Sequence, residues 1–130
     1  MFRILWLTII GQLFLSPSII VASPSSLVYV LTIDSPIGPA SYDYLNRGLK
    51  KAYRNGANNV IVQLNTPGGL ATSMRGMTSL IMNSPLPVTV YVAPRGAQAA
   101  SAGAFLVYSA HVAAMAPGTN IGAATPITLG

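Results

Sequence analysis

The sequence alternates three times between a short apolar run and a helical pattern. The runs LVYVLTI (27–33), VIVQL (60–64) and VTVYV (88–92) are rich in β-branched residues, which is typical of buried strands. After the first two, apolar residues recur at helical spacing, at Tyr42, Leu45, Leu49, Ala52 and Tyr53 and then at Leu70, Met74, Met77 and Ile81. This pattern predicts an α/β fold of β-α-β-α-β-α order, with a parallel sheet covered on both faces.

Turn-forming residues set the expected boundaries of these elements. Ser41 is predicted to cap the first helix, after a loop at 35–40. The stretch APRGAQAAS (93–101) is predicted to be a loop that leads into a third helix near 100–110. VAAMA (112–116) has the length of a short strand, and the residues after it are rich in turn formers.

The N-terminus has the order of a secretory signal. Arg3 precedes an apolar run from Ile4 to Leu15, and the small residues Ala22 and Ser23 follow. A run of about 12 residues is short for a membrane span, which needs roughly 20. We therefore predict a cleaved signal peptide at 1–23, with a retained anchor as the alternative. Either form exports the rest of the chain, residues 24–130, across the inner membrane.

Charge and ligand content exclude several classes of function. Only 7% of the residues are charged, against about 25% in a typical soluble domain, so the interior is large or part of the chain meets a membrane or partner. The net charge is +5, and the basic residues cluster at Arg47, Lys50, Lys51 and Arg54. One solvated helix face explains this cluster, and no nucleic-acid partner is expected. With no cysteine, and only His111, Asp34 and Asp43 as other metal ligands, neither a metal nor a cofactor is expected.

Two loops of small residues directly follow predicted strands. NTPGG (65–69) follows the second strand, and the loop at 93–101 follows the third. Because parallel strands end at the same edge of a sheet, and ligands bind there, the two loops are predicted to converge. Gly68 and Gly69 leave backbone N–H groups uncovered at a helix start, which suits an oxyanion or a phosphate. Phosphate-loop and dinucleotide motifs are absent, and Pro-Gly-Gly alone is also a common turn.

Ser101 stands among small residues at the predicted start of the third helix. It is either an N-cap or a nucleophile that the small neighbours leave accessible, although the G-x-S-x-G elbow is absent. His111 lies ten residues further on, about 15 Å along a helix, and is therefore predicted to be structural or exposed. Lys50 and Lys51 lie on a polar helix side, whereas a catalytic lysine has to be desolvated. The residues supply a candidate nucleophile without a convincing base.

Four stretches together resemble the NfeD family of membrane-bound serine proteases. They are VLTIDSPIGPASYDYLNRGL (30–49), LNTPGGL (64–70), SPLPVTVYVAPRGAQAASAGAF (84–105) and AAMAPGTNIGAATPI (113–127). That family belongs to the ClpP class and is related to the signal peptide peptidase SppA. The resemblance implies a ClpP/crotonase-like fold and a Ser–Lys dyad that acts on hydrophobic segments of membrane proteins. It further implies a stomatin-like partner, a homo-oligomer such as a dimer, and a membrane-associated, extracytoplasmic protein.

The resemblance also implies roles for individual residues. Ser101 matches the family's nucleophile, and the N–H groups of Gly68 or Gly69 and of Ala102 match its oxyanion donors. Family members usually have Asp where this chain has Asn65, which is expected to shape the loop. The dyad lysine of the family lies further downstream than Gly130, and neither lysine of the first helix matches it.

The chain is therefore expected to be the N-terminal part of a ClpP-class protease domain, with a fold that is incomplete at its C-terminus. Gly130 falls in a turn-rich segment without a closing helix, which indicates a fragment or a degraded gene product. Without the lysine, the 130 residues alone are expected to be inactive. Two alternatives remain: a non-catalytic scaffold that assembles with a stomatin-like protein, and a crotonase-like acyl-CoA enzyme whose glycine amides hold an enolate.

Overall fold

The computed structural model describes residues 26–125, so the predicted signal segment lies outside the described residues. The elements follow in chain order: β1 (Val28–Asp34), α1 (Pro39–Arg54), β2 (Asn59–Asn65), α2 (Ala71–Met82), β3 (Val88–Val92), β4 (Gln98–Ala100), α3 (Ala102–Ser109), β5 (Val112–Met115) and β6 (Asn120–Gly122). β1, β2, β3 and β5 form one parallel sheet in that order, and β4 pairs with β6 in a small second sheet. The predicted α/β class and its alternating order are confirmed.

The three helices cover one face of the four-stranded sheet. Its strands add in one direction, so right-handed crossovers place every helix on the same side. Burial alternates accordingly: Val60, Val62 and Leu64 of β2 are fully buried, whereas Val30 of β1, which points to the other face, is 57% exposed. The prediction of a sheet covered on both faces is therefore wrong for residues 26–125.

The helix α1 begins three residues earlier than predicted. Gly38 is the N-cap and Pro39 the first helical residue, where a missing N–H costs nothing. Ser41 instead takes the third helical position, and its Oγ accepts a 2.9 Å hydrogen bond from the Gly38 N–H. Along the helix Leu45 and Leu49 are buried as expected. Tyr53 is exposed because the preceding residue, Ala52, occupies the core position.

The segment between β3 and α3 is more regular than the predicted loop. β4 lies within it, and the turn-rich stretch after β5 contains its partner β6. Hydrogen bonds from the Thr66 N–H to the Gln98 carbonyl (2.7 Å) and from the Ala100 N–H to the Thr66 carbonyl (3.1 Å) tie β4 to the end of β2. The loop prediction is wrong here because these contacts are nonlocal, whereas the third helix and the short strand at 112–115 are confirmed.

Candidate active site

The two small-residue loops meet at the carboxyl ends of β2 and β3. A Cβ atom added to Gly68 would lie 2.8 Å from the Cβ of Ser101 and 3.4 Å from its Oγ. Gly68 also has a φ of +111°, which side chains rarely adopt. Only glycine at this position leaves the Ser101 hydroxyl uncovered, and the predicted convergence of the loops is confirmed.

Ser101 occupies the turn between β4 and α3 in a strained conformation. Its φ is 50° and its ψ is −114°, a region in which a non-glycine residue costs about 1–3 kcal/mol. The backbone is held there by a 2.7 Å hydrogen bond from the Ser101 N–H to the Gly122 carbonyl. Ser101 is the N-cap residue of α3, as one alternative predicts, but its side chain makes no capping hydrogen bond to the helix. The hydroxyl remains available to a ligand.

Three backbone N–H groups, those of Gly68, Gly69 and Ala102, are candidate donors to an oxyanion at Ser101. The N–H of Gly68 donates to Oγ1 of Thr66 (3.2 Å), so it is already engaged. The N–H groups of Gly69 and of Ala102, the first residue of α3, make no hydrogen bond within residues 26–125. The first turn of a helix has such unsatisfied donors, and its dipole favours negative charge.

A cavity of about 520 Å³ brings these groups together. It is lined by Gly69, Leu70, Ala71, Met74, Arg75, Ser101, Ala102, Phe105, Ala124 and Thr125. The lining thus contains the serine, both available donors and several apolar side chains. Arg75 is its one charged residue. An apolar cleft with a few polar groups at one end is the usual form of a substrate site.

The histidine and the two aspartates, which are other possible bases, do not line this cavity. His111 is exposed at the far end of α3, and its Nδ1 accepts the N–H of Val88 (3.2 Å), which confirms the structural prediction. Asp34 accepts a 2.9 Å hydrogen bond from Nδ2 of Asn65. Asp43 forms an ion pair with Arg47 on α1.

The two lysines of α1 do not line this cavity either. Lys50 lines a separate cavity of about 270 Å³ between α1 and α2, and Lys51 is exposed on the same helix. Within the described range, the site therefore has a candidate nucleophile and two backbone donors but no lysine, histidine or carboxylate to take the proton.

Asn65 and Thr66 hold the glycine loop in place. Oδ1 of Asn65 accepts the Gln98 N–H (3.0 Å) while its amide nitrogen bonds Asp34, which confirms that this residue shapes the loop. Thr66 is fully buried, bonds Gly68 through Oγ1 and packs its methyl group towards Gly103. Sequence reasoning missed Thr66 and Arg75, since no periodicity distinguishes a buried threonine in a turn or an arginine beside a cleft.

Metal-ligand clusters and membrane-spanning helices are both absent from residues 26–125. No three His, Cys, Asp or Glu side chains in that part of the chain lie close enough to hold a metal ion. Across 26–125, each helix is too short or too polar to cross a bilayer.

This parallel sheet with its crossover helices has a ClpP-like fold. ClpP1 from Listeria monocytogenes has this fold, with a TM-score of 0.63 at 17% identity over 69% of this chain and 52% of that one. The family model of the NfeD1b N-terminal domain matches residues 27–130. The chain belongs to this family, which confirms the resemblance and the fold expected from it.

Curated relatives agree with this assignment. The chain is 43% identical over 112 residues to membrane-bound protease PH1510 of Pyrococcus horikoshii, covering 84% of the chain and 25% of the relative. It is 40% identical over 97 residues to membrane protein NfeD1b of Bacillus subtilis, covering 75% and 22%. The chain thus spans about a quarter of the length of these relatives.

Solved structures of the 1510-N membrane-bound stomatin-specific protease are also similar. A serine-to-alanine mutant gives a TM-score of 0.80 at 42% identity, over 83% of this chain and 52% of that one. A lysine-to-alanine mutant in complex with a substrate peptide gives 0.78 at 42% identity, over 83% and 49%.

Proposed function

We propose that this chain carries the nucleophile of a membrane-associated serine endopeptidase that uses a Ser–Lys dyad. The observation that carries the proposal is the strained Ser101 in a cavity that Gly69 and Ala102 also line. Its hydroxyl is accessible because Gly68 has no side chain. Oγ of Ser101 would attack a peptide carbonyl carbon and give its proton to a lysine amine. The oxyanion would accept hydrogen bonds from the N–H groups of Gly69 and Ala102.

The remaining steps follow from the same groups. The tetrahedral intermediate collapses to an ester on Ser101, and the leaving amine takes the proton from the lysine. Water, deprotonated by the same lysine, then hydrolyses the ester. Each oxyanion donor typically contributes 10²- to 10³-fold in rate. Between the two glycines, Gly69 is the better donor because the N–H of Gly68 is held by Thr66.

The lysine would come from a part of the protein outside these 130 residues. Neither Lys50 nor Lys51 lines the cavity at Ser101. The existence of serine and lysine mutants of the 1510-N protease, the latter solved with a substrate peptide, supports a dyad of these two residue types. Alone, the 130-residue chain would therefore not hydrolyse peptides.

The substrate would be a hydrophobic segment of a membrane protein. Leu70, Met74 and Phe105 give the cavity an apolar lining that suits such a segment. The 1510-N protease is described as stomatin-specific, which supports a stomatin-like partner here. In this proposal residues 1–23 form the signal peptide and residues 24–130 the N-terminal part of the protease domain. The protein would be a homo-oligomer, such as a dimer, on the extracytoplasmic side of the membrane.

Peptide hydrolysis by the full natural protein tests the proposal. An apolar decapeptide is incubated with the protein, and the products are identified by liquid chromatography and mass spectrometry. The Ser101→Ala variant should hydrolyse the peptide at least 10³-fold more slowly. Ser79 is an exposed serine on α2, and the Ser79→Ala variant should keep the parent rate. Equal hydrolysis by the Ser101→Ala variant would refute the proposal. Binding of a stomatin-like protein without any hydrolysis would instead favour the scaffold alternative.

A further inference from the structure

A second cavity adjoins the cavity at Ser101 along α2 and α3. The second cavity, of about 410 Å³, is lined by Met74, Arg75, Thr78, Met82, Phe105, Tyr108 and Ser109. Met74, Arg75 and Phe105 line both cavities, so the two cavities adjoin, and the surface that they form is here named the α2–α3 groove. Tyr108 and Met82 are 78% and 67% exposed at its far end. The groove is thus an apolar surface that leads away from the candidate nucleophile.

Arg75 is the one charged side chain that lines the α2–α3 groove. The whole sequence contains two acidic residues, Asp34 and Asp43. Asp34 is hydrogen-bonded to Asn65, and Asp43 is paired with Arg47 on α1. Within residues 26–125, Arg75 forms no ion pair with either carboxylate.

The chemistry of arginine indicates what the groove would bind. Its methylene stem packs along apolar surface while its planar guanidinium presents a fork of donors that fits a carboxylate. A single guanidinium among apolar side chains suits one carboxylate, whereas phosphate groups are usually held by several donors. A mainly apolar peptide with one acidic residue would complement both features of the groove.

We propose that the α2–α3 groove selects substrate peptides in which an Asp or Glu accompanies the apolar residues, with Arg75 pairing the carboxylate. This inference rests on the proposed peptidase function, because it assigns the groove to the substrate of Ser101. Arg75 is a specificity residue in this arrangement and takes no part in bond cleavage. Arg95, in the loop between β3 and β4, lines neither cavity and serves as the matched control.

Fluorescence anisotropy with paired peptides tests the inference. A single Glu is moved through a labelled decapeptide of Val, Ala and Ser, and each peptide is compared with the same peptide containing Gln. The full natural protein carries Ser101→Ala, so that the peptides stay intact. We expect the Glu peptide to bind about threefold to fivefold more tightly at one or more positions in low salt, the range for a partly exposed ion pair. The preference should shrink at 0.5 M salt.

Charge variants assign the preference to Arg75. Arg75→Gln should equalise the two peptides, Arg75→Glu should favour the Gln peptide, and Arg95→Gln should leave the preference unchanged. Equal binding of the paired peptides by the parent protein, a preference that survives Arg75→Gln, or binding of neither peptide would each overturn the inference. The peptidase proposal is judged separately, by whether hydrolysis depends on Ser101. Circular dichroism checks that each variant is folded.

Discussion

At Gly103, helix α3 packs against Thr66, the residue that follows β2. The substitution Gly103→Ala adds a methyl group there and tests why small residues surround Ser101. A Cβ atom on Gly103 would lie 2.5 Å from Cγ2 of Thr66 but at an ordinary 3.5 Å from the Cβ of Ala99. Thr66 is fully buried and cannot move aside freely. In an unconstrained helix Gly→Ala stabilises by about 1 kcal/mol, so a loss of stability would report the steric contact.

The expected magnitudes separate the contact from helix propensity. Overpacking of a core costs about 1–3 kcal/mol, so Gly103→Ala should lower the free energy of unfolding by up to about 2 kcal/mol after its gain in propensity. Thr66→Ser keeps the hydroxyl that bonds Gly68 and removes only the methyl group, at a cost of about 1 kcal/mol. In that background Gly103→Ala should be neutral or stabilising by up to about 1 kcal/mol. The two changes should therefore couple by about 2 kcal/mol.

Urea unfolding followed by far-ultraviolet circular dichroism measures all four proteins of this cycle. Gly38→Ala is the matched control, because a Cβ there has no neighbour within 4 Å and its effect should not depend on Thr66. The steric explanation is refuted if Gly103→Ala changes the free energy of unfolding equally with Thr and with Ser at position 66. It is also refuted if Gly103→Ala stabilises the parent protein.

Two further substitutions test the glycine loop. Gly68→Ala should reduce hydrolysis by the full natural protein at least about 100-fold, because its Cβ would crowd Ser101 at a φ of +111°, and unchanged rates would show that the hydroxyl is approached from elsewhere. Asn65→Asp should destabilise by about 1 kcal/mol at pH 7 and by little near pH 3, because two facing carboxylates repel until one is protonated. Exchanging the pair as Asp34→Asn with Asn65→Asp should restore stability at pH 7 in thermal unfolding, and failure of this rescue would contradict the assigned hydrogen bond.

The strands and the place of the site could be predicted from the sequence because their signals are local. Continuous β-branched runs such as 60–64 and 88–92 have few alternatives to a buried strand. Once those strands are parallel, their following loops must share an edge, so the meeting of Gly68 with Ser101 follows from the order of the elements.

Features that depend on spatial order or on nonlocal pairing could not be predicted. Whether the helices cover one face of the sheet or both depends on the order of the strands in the sheet. The alternation of strands and helices along the chain does not determine that order. β4 consists of Gln98, Ala99 and Ala100, residues of little strand propensity, and is formed by hydrogen bonds to Thr66 and by pairing with β6. Arg75 lines the cavity only because α2 packs against α3, a contact that helical periodicity does not specify.

Acid trapping of the reaction tests most directly the claim that Ser101 is the nucleophile. The full natural protein is mixed with an apolar peptide substrate, quenched in acid within seconds, digested and mapped by tandem mass spectrometry. The predicted result is an acyl group on the peptide that contains Ser101, carrying the N-terminal half of the substrate and absent from the Ser101→Ala variant. An acyl group on another residue, or hydrolysis that continues undiminished in Ser101→Ala, would contradict it.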